Sequence, residues 1–94
     1  METLSFQANK KQSNAMRSLA YWIADVHYIA ERYGKNDPEH EVAHKTVMQC
    51  FDELDRLGVP FWVQNNIIMF AENWRRYKTE YMENAMQKFN ICLQ

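Results

Sequence analysis

An all-α fold is predicted, a three-helix bundle with a long C-terminal helix, and three observations carry it. Apolar residues recur at spacings of three and four through most of the chain, the period of an amphipathic helix. The two glycines, Gly34 and Gly58, each follow such a segment, where a left-handed residue ends a helix. Two glycines and two prolines in 94 residues are too few for the turns of a sandwich or barrel.

The first helix is predicted from Ser13 to Tyr33. Met16, Leu19, Ile23, Val26, Ala30 and Tyr33 form its stripe, widened by Trp22 and Ile29, with Arg17, Ser18, Asp25 and Arg32 opposite. Asp37 followed by Pro38 is an N-cap with proline at the first helical position, so a second helix is predicted from Pro38 to Leu57. Ala43, Val47, Cys50, Phe51, Leu54 and Leu57 are its buried side.

Pro60 opens the third segment, which contains no further glycine or proline. Val63, Ile67, Phe70, Trp74, Tyr77 and Tyr81 continue the helical period, and Ala85, Phe89 and Cys92 resume it after a slip of phase. Unbroken, this helix is ~50 Å long, against ~30 Å for each of the others. Its far end then lacks cover. Either the segment breaks near residues 79–83 and folds back to complete a four-helix core, or a second copy covers it. The expectation preferred here is a homodimer with self-contact residues Tyr81, Met82, Met86 and Phe89. Residues 1–12 are expected to be a flexible tail before a single helical domain, 13–94. Ser13-Asn14-Ala15-Met16 has the form of a cleaved-tag remnant.

The bulk numbers narrow the function classes. An apolar share of 47% indicates a folded chain, and a net charge of −1 recruits neither nucleic acid nor an anionic membrane. Two cysteines, Cys50 and Cys92, suit free thiols in a reducing compartment rather than a disulfide scaffold. The longest uncharged run, Leu57–Ala71, contains Pro60, Gln64, Asn65 and Asn66, which argues against a membrane span. Residues 1–12 have no apolar leader, and a cytoplasmic location is the expectation.

One motif promises chemistry. His40-Glu41-Val42-Ala43-His44 is H-E-x-x-H, and it resembles the zinc-binding motif of metallopeptidases, in which two histidines at i and i+4 hold the metal. The resemblance implies Glu41 as general base on a metal-bound water. It covers five residues. His40 stands only two positions after Pro38, Glu39 and Lys45 flank the histidines, and the H-x-x-G-x-x-H extension fails at Val47 and Cys50. A second metal set is His27, His40 and His44, since His27 and His44 lie at similar height on neighbouring helices. The competing reading is an ordinary helix start: Glu39 and Glu41 suit the positive end of the dipole, and Glu41–Lys45 is spaced as an ion pair.

Trp74-Arg75-Arg76-Tyr77-Lys78 interleaves bases with aromatics, a composition suited to nucleic acid, yet Glu72, Glu80 and Glu83 balance it. Tyr21 and Tyr28 on the outer side of the first helix are candidates for contact with another protein. The function expected is thus a small non-enzymatic interaction or regulatory protein with no cofactor. A zinc hydrolase is the alternative, and a nucleic-acid-binding regulator comes third.

Overall fold

The structure is a computed structural model that describes residues 4–94, with residue 79 described in its backbone only. In chain order it comprises strand β1 (Phe6–Gln7), helices α1 (Lys10–Tyr33), α2 (Pro38–Arg56) and α3 (Phe61–Ala71), a 3-10 turn (Trp74–Arg76), helix α4 (Thr79–Gln87) and strand β2 (Ile91–Cys92). It is mostly helical, in agreement with the predicted class. Among the described residues no helix is long and apolar enough to cross a membrane.

The first two helices follow from their caps. At the start of α2 the Asp37 carboxylate accepts a hydrogen bond from the Glu39 backbone N–H at 2.9 Å, with Pro38 in the first turn. The end of α2 is a Schellman closure. Val59 N–H donates to the Leu54 carbonyl and Gly58 N–H to the Asp55 carbonyl, with Gly58 at φ 76°, a conformation costly for any residue with a Cβ. Helix α1 starts three residues before the predicted position. Asn9 and Gln12 form a reciprocal capping box, each side chain accepting from the other's backbone N–H at 2.8–2.9 Å.

The segment expected to be an N-terminal tail includes β1 and the first turn of α1. Residues 1–3 lie outside the described residues, but Phe6–Gln7 pairs in parallel with Ile91–Cys92 and Ala8 is 1% exposed. Ser13 and Met16 are fully buried, so the Ser-Asn-Ala-Met stretch is an integral part of α1. The Ser13 hydroxyl accepts from the Gln94 backbone N–H at 2.7 Å.

The long C-terminal helix is corrected. Helix α3 ends at Ala71, and the break falls at residues 72–78, earlier than the predicted 79–83, where α4 begins. No glycine or proline causes it. The Trp74 indole N–H donates to Glu31 at 3.0 Å, its ring meets Tyr28 edge-on, and Tyr77 packs on Phe70. These contacts with α1 and α3 override local helix propensity. Helix α4 then folds back, and Met82 and Met86 (0% and 1% exposed) join Met16, Leu19, Leu54, Val63, Ile67 and Ile91 in one core cluster. Asn90, at φ 62°, makes the turn into β2, and asparagine is among the residues that best tolerate that conformation.

The burial of Met82 gives a direct test. Met82→Ala is expected to lower unfolding free energy by ~2–5 kcal/mol, as for other buried large-to-small changes. Met48→Ala, at a half-exposed position on α2, is expected to stay within about 0.5 kcal/mol of the parent. Urea denaturation followed by circular dichroism measures both, and similar values for the two would contradict the buried position of α4.

Candidate functional site

The H-E-x-x-H residues occupy the first two turns of α2, as the spacing requires. The His40 and His44 rings lie nearly parallel, with planes 22° apart and centres 6.5 Å apart. With Zn–N bonds of ~2.0–2.1 Å, two imidazoles on one tetrahedral ion bring their ring centres to about 5 Å. The observed spacing is wider, and parallel rings do not converge on a shared point. Glu41 pairs with Lys45 at 3.4 Å, and both side chains are largely exposed.

His27 separates from His40 but not from His44. His27, His44 and Glu72 line one recess of about 340 Å³ together with Val26, Val47, Phe51 and Ile68. The expectation of similar height for His27 and His44 matches this placement, while His40 lies outside the recess. Among the described residues no group of three or more His, Cys, Asp or Glu side chains is arranged to hold a metal ion.

The residues expected to form the self-contact divide in two. Met82 and Met86 are in the chain's own core, because the reversal at residues 72–78 turns that side of α4 inward. Tyr81 and Phe89 remain about half exposed, with the Lys78 ammonium 5.6 Å from the Tyr81 ring centre. The four therefore do not make a continuous exposed patch. Tyr21 is half exposed and edge-on to Trp22, while Tyr28 is partly buried against Trp74. In the Trp74–Lys78 stretch, Arg75 pairs with Glu31 and lies over the Trp74 ring, so one of its three bases is already neutralised.

A different surface emerges on α3. Val63, Ile67 and Ala71 face the core, and Gln64, 3% exposed, donates to the Asp55 carboxylate at 2.8 Å and the Val59 carbonyl at 3.0 Å. The opposite side presents Phe61, Asn65 and Met69 at i, i+4 and i+8, and Phe61 and Met69 are 79% and 60% exposed. Partly buried Ile68 adjoins them. No charge occurs from residue 57 to 71, so nothing on α3 itself offsets this apolar face. The signal was present in the uncharged run, which sequence reasoning used only to judge a membrane span.

Cys50 is partly buried, and burial pushes its thiol up, with the nearby Glu53 carboxylate adding to the effect. Cys92 is exposed at the end of β2.

No protein-family model matches the chain, and neither the curated proteins nor the solved structures give a match.

Two outcomes follow from these placements. Dialysis against micromolar zinc is expected to leave no stoichiometric metal, and His44→Ala is expected to change neither zinc content nor melting; one tightly held zinc ion per chain lost in His44→Ala would overturn the reading of His40 and His44. At pH 8, a thiol reagent is expected to label Cys92 faster than Cys50, since a raised thiol pKa leaves less thiolate at that pH. Mass spectrometry of time-quenched samples reads the order.

Proposed function

We propose that the chain is a non-enzymatic helical interaction module that self-associates through the outer face of α3. The exposed, uncharged Phe61–Asn65–Met69 stripe is the observation that carries this reading. The stripe is self-complementary. Asn65 lies midway between Phe61 and Met69, so a two-fold axis through it sets Phe61 of one copy against Met69 of the other and Asn65 against its own counterpart. No like charges meet in that arrangement, and the two asparagine amides can exchange hydrogen bonds.

The helix is short, ~16 Å for eleven residues. Its contact belongs at the small end of specific interfaces, and the dimer is concentration-dependent rather than permanent. A regulatory role fits such an equilibrium, because modest changes in level or in a competing helix shift it. The zinc-hydrolase reading draws no support from the spacing of His40 and His44 or from the outward Glu41–Lys45 pair.

Sedimentation equilibrium tests the proposal. The parent chain is expected to show a monomer–dimer equilibrium, and Asn65→Glu or Asn65→Lys to weaken it at least tenfold by setting like charges across the axis. Mixing the two variants is expected to restore association, which a purely structural defect in either would not do. A strictly monomeric parent at millimolar concentration, or no recovery in the mixture, would sink the model.

A further inference from the structure

A second recess depends on different residues. It holds about 170 Å³ and is lined by Tyr21, Ala24, Asp25, Tyr28, Trp74 and Tyr77. Four of its six lining side chains are aromatic, and the one charged group is a carboxylate. We propose that this recess binds a methylated ammonium group.

The Tyr28 and Trp74 rings meet edge to face at 83° with centres 5.1 Å apart, and both line the recess. The Trp74 ring is fixed in place by its indole N–H bond to Glu31. Aromatic faces attract cations through the ring quadrupole, and cages of such rings recognise quaternary ammonium ions. These rings already do so within the chain. The Arg32 guanidinium lies 5.8 Å from the Tyr28 centre and that of Arg75 lies 5.2 Å from the Trp74 centre, yet neither side chain lines the recess. Arg75 has its charge offset by Glu31. The Asp25 side chain makes no hydrogen bond or ion pair among the described residues, so its charge is available to a ligand.

Size and hydration choose among cations. The volume is below the ~300–1,000 Å³ of pockets that enclose drug-sized ligands, and it suits a head group. A bare ammonium is compact and strongly hydrated, so it loses more on entering a mainly aromatic recess. Methylation spreads the charge over a bulky, weakly hydrated surface that fills the space and still faces Asp25. A small quaternary ammonium compound and a trimethylated lysine side chain share this chemistry.

Calorimetric titration of the full chain at constant ionic strength provides the test, with choline and its neutral isostere 3,3-dimethylbutan-1-ol as probes. Choline is expected to bind saturably and about tenfold more tightly than the isostere, the margin a partly desolvated cation–π site supplies. Asp25→Asn, which preserves shape, is expected to weaken choline at least fivefold with unchanged melting, and Tyr28→Leu to weaken it similarly. A trimethyllysine peptide binding tenfold tighter than choline would assign a protein side chain as the source, and equal binding would assign a small molecule. Equal affinity for choline and the isostere, or no change in Asp25→Asn, would overturn the proposal. The dimer proposal stands or falls separately, because Asn65 variants leave this recess intact.

Discussion

The anchoring of the Trp74–Tyr77 turn determines how the rest of the chain is placed. Trp74 reaches Glu31 and Tyr28 on α1, and Tyr77 packs on Phe70 of α3. With both aromatics held, α3 cannot continue in its own direction, and the chain reverses. Helix α4 then comes back to the N-terminal half of α1, where Arg17 bonds Glu83 at 2.8 Å and the Gln94 carbonyl at 2.6 Å. Only after that reversal can Ile91–Cys92 lie beside Phe6–Gln7. Most of the stabilisation here comes from apolar burial of Met82, Met86 and Ile91. The Arg17–Glu83 and Arg75–Glu31 pairs are largely exposed, and pairs of that kind are each worth at most about 1 kcal/mol.

This dependence also explains which parts of the fold were legible beforehand. Gly34, Asp37-Pro38, Gly58 and Pro60 act locally, and each marks a helix boundary within a residue or so of the observed one. The Asn9–Gln12 capping box is equally local, an N-x-x-Q pattern, but it lies in the segment expected to be a tail. The break after Ala71 has no local marker. The apolar period runs on through Trp74 and Tyr77 because turn aromatics packing on the same neighbours imitate a helical stripe. The β1–β2 pair joins two-residue segments 85 positions apart, and nothing within either segment specifies the other.

The histidine motif shows the same division at the level of a site. A spacing of four puts His40 and His44 on one side of α2, which is a backbone consequence. Convergence on an ion is a matter of side-chain direction and of what faces the helix, and neither is encoded in five residues. His27 and Glu72, which do share a recess with His44, come from α1 and from the turn after α3, so their meeting depends on the same reversal. The apolar lining of that recess comes from three helices, with Val26 on α1, Val47 and Phe51 on α2 and Ile68 on α3.

Helix α3 carries the proposed self-contact. Its inner side is complete by itself: Val63 and Ile67 are fully buried, and the buried Gln64 amide has both its partners. Its outer side contributes nothing comparable to folding, since Phe61 and Met69 remain mostly in water. Charged residues at 61, 65 and 69 would serve the helix as well or better, because lysine and glutamate are stronger helix formers than phenylalanine or asparagine and also favour solubility. A helix that is uncharged on the side its own fold does not use has an apolar surface that intramolecular energetics does not explain. The proposed contact with a second copy of the same helix would account for it, with Asn65 lying between Phe61 and Met69.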